Sequence, residues 1–251
     1  MENPKAIPFT AAFLLALLLP PVAWAQDYTA GPVSDGGTIS GTVIHSGGAV
    51  ERSALVVNQD EEICGQTTKL SSELIVDPAS HGIQNVVVSI TDISHGKAWS
   101  IPDEGLTLDQ EGCWFAPHVL VVPVGQSFDV LNGDGILHNL HTHGEENRPI
   151  NKAQPGFLKR LKMSFRRAEF VQITCDVHDW MEGWVVAANH PYHAITDETG
   201  AFRLDNVPPG SYTLEFWHET LGTMTQKIKV EKNALQANFE FPEISTEVSQ
   251  K

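Results

Sequence analysis

Cys175-Asp176-Val177-His178-Asp179-Trp180-Met181 places a thiolate, an imidazole and a thioether at Cys-x-x-His-x-x-Met spacing, and His138-Asn139 supplies a second imidazole upstream. Two imidazoles, one thiolate and a weak thioether form a ligand set for a single copper ion, because soft sulfur suits Cu(I) and imidazole suits both oxidation states. Zinc competes for Cys and His, but Met is a poor zinc ligand. The chemistry to expect of such a set is one-electron transfer. Taken singly, Cys175 reads as a core cysteine, His178 as a surface turn residue and Met181 as core filler. Their joint spacing after an alternating strand carries the metal reading.

His141 and His143 follow His138 closely, so a second, more open copper is conceivable there. On a continuing strand, however, their side chains face away from His138, and we read them as solvent-facing. His118, after Pro117 at the start of a strand, reads as a hydrogen-bonded structural residue. Trp217-His218-Glu219 ends an alternating strand without a partner motif and also reads as structural. No haem-attachment Cys-x-x-Cys-His, nucleophile elbow, dinucleotide fingerprint or phosphate loop occurs, so an autonomous enzyme is not expected.

These donors need a rigid frame. Beyond residue 25 the apolar pattern is that of short strands with no run of helical period, which predicts an all-β protein. The predicted strands are Thr38 to Ile44, Leu55 to Asn58, Asn85 to Thr91, Val119 to Val124, Ser127 to Leu131, Leu161 to Phe165, Phe170 to Thr174, Trp184 to Ala188, Ala201 to Leu204, Tyr212 to Trp217 and Thr225 to Val230. Gly-Gly, Asn132-Gly133-Asp134-Gly135 and Pro208-Pro209-Gly210 punctuate them as turns. Between Gly144 and Phe157 the pattern predicts a long irregular segment beside the copper, carrying part of a docking surface. Arg160, Lys162 and Arg166 alternate with Leu161, Met163 and Phe165, which puts the cations on one outward strand face.

Residues 1–25 read as a secretory signal peptide: Lys5, an apolar run from Ala11 to Leu19, then Ala23-Trp24-Ala25 as a small-residue cleavage signal. The mature chain is then exported, periplasmic or extracellular, with no membrane span. The formal net charge of −15 disfavours nucleic-acid binding. It suits a cationic protein partner, since complementary charge speeds the encounters of transient redox partners. Of the three cysteines, a Cys64–Cys113 pair leaves Cys175 free for a metal, a division reached by elimination.

Two units can be drawn. Residues 110–189 hold every candidate ligand; 35–105 and 190–243 make up the other, followed by a tail at 244–251. The matching parts of the central unit are Pro117-His118-Val119, Val124-Gly125-Gln126-Ser127-Phe128-Asp129-Val130, Asn132, His138-Asn139, an alternating strand into Cys175, and Gly183-Trp184-Val185-Val186 after Met181. In these it resembles the cupredoxins, and among plastocyanin, pseudoazurin and amicyanin it is most similar to amicyanin, because only two residues separate His178 from Met181. The flanking unit carries Thr196-Asp197-Glu198-Thr199-Gly200-Ala201-Phe202-Arg203-Leu204 and Val207-Pro208-Pro209-Gly210-Ser211-Tyr212-Thr213-Leu214. It looks like the carboxypeptidase regulatory-like β-sandwich, an Ig- or transthyretin-like fold. Such modules start with a strand like Gly37-Thr38-Ile39-Ser40-Gly41-Thr42-Val43, which here lies far upstream. One sandwich interrupted by the copper domain is therefore expected, with two consecutive sandwiches divided near residue 105 as the alternative.

The resemblance implies a Greek-key cupredoxin sandwich holding one type 1 copper, with His138, Cys175 and His178 as equatorial ligands and Met181 as the axial one. It makes Asn139 the residue that steadies the ligand loop, and His178 the ligand nearest solvent, where electrons would enter and leave. It implies a redox-protein partner, such as a c-type cytochrome or a periplasmic oxidoreductase. The other readings are a periplasmic copper chaperone or store, and an adhesive or carbohydrate-binding sandwich with a structural metal. Where amicyanin has prolines around this histidine, Val177 and Asp179 stand here. Asp176, Asp179 and Glu182 place negative charge beside the metal, which favours Cu(II). Asp179→Asn should therefore raise the reduction potential in voltammetry; a constant or falling value would refute the electrostatic argument.

Overall fold

Alternating apolar and polar side chains give strands with one buried face, and the computed structural model, which describes residues 28–243, is built almost wholly of them. The expected signal peptide and the tail at 244–251 lie outside the described residues. In chain order the elements are β1 (Thr29–Ala30), β2 (Gly37–His45), α1 (Glu61–Cys64), β3 (Val87–Ile90), β4 (His95–Gly96), β5 (Thr107–Gln110), β6 (Phe115–Ala116), β7 (Val119–Pro123), β8 (Phe128–Asn132) and β9 (His138–His143). They continue with β10 (Asn151–Gln154), β11 (Arg160–Met163), β12 (Glu169–Thr174), β13 (Glu182–Ala188), β14 (His193–Ile195), β15 (Ala201–Val207), β16 (Gly210–His218), β17 (Gly222–Val230), β18 (Leu235–Gln236) and β19 (Phe239–Phe241).

The described residues are nearly all β, as expected, and their sheets form two sandwiches. In the first, a sheet in the order β10-β9-β12-β13-β7 packs on one in the order β11-β8-β5-β6. Leu108, Val122, Phe128, Val130, Leu140, Val171, Ile173 and Val185 fill the space between them. The pairs β7 with β13 and β5 with β8 are parallel, so the chain crosses between layers there. In the second, β14-β3-β16-β17 faces β15-β2-β18, and β19 also pairs with β2. Ile39, Val43, Val88, Ile90, Phe202, Leu204, Leu214 and Phe216 form its core. Strands from before and after the first sandwich thus pair to make the second.

Two local expectations are corrected. Leu55 to Asn58 is not a strand; Ala54 makes an isolated bridge to Leu70, and the chain then leaves the sheet. The supposedly irregular 144–157 segment contains β10, which pairs with β9 from Asn151 opposite His141 to Gln154 opposite His138. The sequence Asn-Lys-Ala-Gln shows no alternation because this is an edge strand whose first three residues are exposed. On β11, Arg160 and Lys162 do face outward, and both reach Asp129, at 2.6 and 3.9 Å.

Cys64 and Cys113 form the expected disulfide, with their Cα atoms 5.3 Å apart, and Cys175 is free and buried. No helix among the described residues is long and apolar enough to cross a membrane.

The second sandwich buries His218 at 1 % exposure, with Nδ1 accepting from the Thr220 N–H at 3.2 Å and Nε2 unpartnered. Burial outweighs the attraction of Glu219 and lowers its pKa to about 4. Below the ordinary value of 6.5 the unfolded chain takes up a proton that folded His218 refuses. Its contribution to stability is therefore full above pH 6.5 and lost as pH falls toward 4. Calorimetry should show the melting temperature dropping across that window, with a shallower slope for His218→Gln. Equal slopes for the two proteins would refute the assignment.

Candidate metal centre

The centre lies at one end of the first sandwich, where two strand ends meet. His138 is the first residue of β9, separated by two residues from the Asn132–Gly135 turn, in which Asn132 Oδ1 accepts from the Gly135 N–H at 2.9 Å. A left-handed φ of 73° at Gly135 completes the turn, a conformation that suits glycine. Cys175 follows the last residue of β12, and the chain returns as β13 from Glu182. The Cys175 N–H donates to Met181 O at 3.1 Å and the Met181 N–H to His178 O at 2.9 Å, so Cys175–Met181 is a closed loop.

These elements bring His138, Cys175 and His178 into one cluster, with their ligand atoms all within 4.8 Å of one another. Nδ1 of His138 lies 3.0 Å from Nδ1 of His178, and Cys175 Sγ lies 3.9 and 3.7 Å from these two nitrogens. Metal bonds of about 2.0–2.3 Å to nitrogen and sulfur require neighbouring donors at such separations. His138 and His178 are 0 % exposed and Cys175 2 %. Met181 is 0 % exposed and tied by its backbone to both Cys175 and His178.

Each imidazole is held from behind by a carboxylate. His138 Nε2 donates to Asp134 Oδ2 at 2.9 Å, and His178 Nε2 donates to Asp60 Oδ2 at 3.0 Å. An ionised carboxylate only accepts, so Nε2 carries hydrogen in both rings and Nδ1 is the atom presented to a metal. Asp134 also accepts from the N–H groups of Gly112 and Cys113, at 2.6 and 2.8 Å. Burial opposes its charge, but His138 and those two N–H groups outweigh it and hold the carboxyl below its ordinary value.

The three donors are also electrostatically coupled. Burial disfavours a charged His138, yet Asp134 and Cys175 raise its pKa to about 9. Burial likewise raises the Cys175 thiol, but His138 and the N–H groups of Asn139, His178 and Val177 bring it below the ordinary value. His178 moves the other way, because burial outweighs the attraction of Asp60. His138 and Cys175 thus each favour the charged form of the other.

Sequence reasoning placed His178 nearest solvent, and the structure corrects this. Asp60, the Trp180 ring at 5.1 Å between centroids, and the Cys64–Cys113 sulfurs surround it. Asn139 does brace the ligand loop: its Oδ1 accepts from the Asp176 N–H at 2.5 Å, and its Nδ2 donates to Asn151 Oδ1 at 2.7 Å. His141 and His143 lie side by side on the outer face, away from the centre, with ring centroids 4.3 Å apart and planes tilted by 36°, and His141 Nδ1 lies 2.9 Å from Asp176 Oδ1. Asp179 is exposed, while burial, helped by Glu219 and Glu73, raises the Glu182 carboxyl above its ordinary value.

His118 bonds through Nε2 to Glu219 Oε1, and Glu219 Oε2 accepts from Trp184 Nε1 at 2.6 Å. His118 is hydrogen-bonded, as expected, and its bond to Glu219 joins the two sandwiches. The residues that sequence reasoning missed are Asp134 and Asp60. Asp134 stands four residues before His138 inside a recognised turn, a local signal; Asp60 is 118 residues from its partner and gives none.

Residues 168–237 match the family model described as polysaccharide lyase family 4, domain II. A search of curated proteins finds no match. Among solved structures, the chain is similar to a copper-containing nitrite reductase from Thermus scotoductus SA-01, at 20% identity and a TM-score of 0.32 over 37% of this chain. It covers only 23% of that reductase. It is also similar to a reduced Cu(I) form of an amicyanin variant, at 20% identity and a TM-score of 0.32 over 36% of this chain and 87% of that one. A purple cupredoxin from Nitrosopumilus maritimus is 19% identical, with a TM-score of 0.28 over 33% of this chain and 99% of that one.

Removing the carboxylate behind His138 should loosen the metal without removing a ligand. Asp134→Ala is expected to weaken copper binding about 10- to 100-fold, the usual cost of deleting such a partner, as read by competition with a chelator of known affinity. Unchanged affinity would show that Asp134 serves the Gly112–Cys113 turn alone.

Proposed function

We propose that this chain is an exported mononuclear copper protein that passes single electrons between protein partners. The observation that carries the reading is the buried cluster of His138 Nδ1, His178 Nδ1 and Cys175 Sγ, 3.0 to 3.9 Å apart, with a carboxylate behind each imidazole. The donor chemistry fits copper: a thiolate and two imidazoles serve both oxidation states, and Met181 in the closed ligand loop provides a weak fourth donor. When bound, copper supplies a one-electron couple. The protein's part is to hold the donors still, so that little rearrangement accompanies a change of charge.

Each residue has a role in that. His138 sits on a strand end and Cys175 at the mouth of a closed loop, so sheet hydrogen bonding fixes their separation. Asp134 and Asp60 select the Nδ1 face of each ring. His138 and His178 are 0 % exposed and Cys175 2 %, and donors this deeply buried support electron transfer over catalysis at the metal. Their burial also favours a resident metal over one that is handed on, as a chaperone or store would require.

A cationic redox protein, such as a c-type cytochrome or a periplasmic oxidoreductase, fits the net charge of −15. The second sandwich then serves as a docking or anchoring module.

The deciding measurement is the visible spectrum of the mature protein loaded with Cu(II), beside Cys175→Ser. An intense thiolate-to-copper charge-transfer band that bleaches with ascorbate, and is missing from the variant, is expected. A colourless Cu(II) adduct, or the same spectrum in both proteins, would overturn the reading.

A further inference from the structure

The chain between Leu55 and Lys69 leaves the second sandwich and lands on the metal end of the first. Its neck is closed by the Leu55 N–H donating to Lys69 O at 2.9 Å and the Ser71 N–H to Ser53 O at 2.8 Å. From this neck Leu55 and Val57 pack against the core of the first sandwich, and Cys64 enters that core. Lys69, 3 % exposed, donates Nζ to Gly112 O and lies 4.9 Å from the Trp114 ring centroid. The loop is thus fastened at its base, and covalently at its far side through Cys113.

The loop reaches the metal centre through two residues. Asp60 begins the short helix α1 with a left-handed φ of 49°, and Cys113 across the disulfide has a φ of 55°. Non-glycine residues keep this conformation where the surrounding structure over-determines it, and such positions cluster at functional sites. The Asp60 carboxylate, 39% exposed, gives His178 Nε2 its hydrogen-bond partner, while His178 itself is 0 % exposed. Both disulfide sulfurs and one His178 nitrogen lie within 4.8 Å of one another. The same disulfide serves His138, because the Cys113 N–H donates to the Asp134 oxygen that His138 also contacts.

We propose that residues 56–68 form a latch over the metal centre, in which Asp60 is a positioning residue for His178 and the Cys64–Cys113 bond keeps the latch closed, so that metal leaves only when it lifts. The proposal rests on the reading of His138, Cys175 and His178 as metal ligands. Its consequence is a centre shielded on the His178 side by chain from outside its own sandwich. A partner protein would then meet the latch surface rather than the imidazole edge.

Two experiments test it. In the first, the mature protein is loaded with Cu(I), and release to excess bathocuproine disulfonate is followed for wild type, Asp60→Ala, Asp60→Asn, and the paired Cys64→Ser and Cys113→Ser variant. Release should be about 10- to 100-fold faster for Asp60→Ala and faster still for the paired variant. Asp60→Asn, whose side-chain oxygen still accepts from Nε2, should recover most of the wild-type rate. Rates within twofold of wild type for Asp60→Ala and the paired variant would overturn the latch.

The second experiment needs no copper and so separates the latch from the copper reading. Nitrogen-15 NMR of the metal-free protein should find His178 hydrogen on Nε2, exchanging slowly with solvent in wild type and fast in Asp60→Ala. Fast exchange in wild type overturns the latch even if the copper site is blue. Slow exchange in a protein that binds no copper keeps the latch and removes the copper reading instead.

Discussion

Burying two imidazoles and a cysteine sulfur together, out of reach of water, is the constraint on which this structure depends. Each ring has two nitrogens, and a buried polar atom without a partner costs about 1–3 kcal/mol. If Nδ1 is to face a metal, Nε2 must be satisfied by the protein. Here each Nε2 meets a carboxylate, Asp134 for His138 and Asp60 for His178. This choice fixes the tautomer and ring orientation, and it makes each ring more basic than a carbonyl acceptor would. Two nearby anions also compensate the positive charge of a bound cation, as Asp134 already does for a protonated His138.

The two carboxylates are delivered by different means. Asp134 lies in the turn that precedes β9, one side of which is fixed by Asn132 and the other by the Gly112 and Cys113 N–H groups. It is therefore part of the same sandwich as the ring it holds. Asp60 arrives from the excursion between β2 and β3, strands of the second sandwich. Its position depends on a closed neck, on apolar anchors at Leu55 and Val57, and on the Cys64–Cys113 bond. The disulfide thus has a local task in addition to any constraint on the unfolded chain, because it joins the peptide that carries Asp60 to the peptide that binds Asp134.

Much of this was legible in the sequence where the information is local. Cys175, His178 and Met181 lie within one loop, and alternation along β12 announced the strand that delivers them. His138 was legible through the His138-Asn139 pair and the resemblance that carries it, although β9 was not among the predicted strands. The sides of β9 followed from its period of two, which put His141 and His143 on the face away from His138. The edge strand β10 was not legible, since three of its four residues are exposed and none needs to be apolar. The burial of His178 was misjudged for a different reason. A ligand loop at the end of a sandwich faces solvent unless something covers it, and the cover is 118 residues away in sequence. Nothing about Asp60-Glu61-Glu62 distinguishes it from a solvated acidic turn until the fold brings it to the ring.

The cover also explains why the two sandwiches must stay in register. Val87 from the second packs with Val119 and Val186 from the first, and Trp217 packs against Phe170 at a tilt and meets Trp184 edge-on, at centroid distances of 4.4 and 4.8 Å. Trp184 lies three residues beyond Met181; its backbone N–H donates to His118 O at 2.8 Å, while its indole N–H and the His118 ring both reach Glu219. The strand that leaves the ligand loop is therefore pinned to the second sandwich. That sandwich thus supports the metal centre at two points, Asp60 on a ligand ring and Glu219 behind the exit of the ligand loop. A shift of one sandwich against the other would pull at both. The apolar contact between them is accordingly a condition for the arrangement of His138, Cys175 and His178.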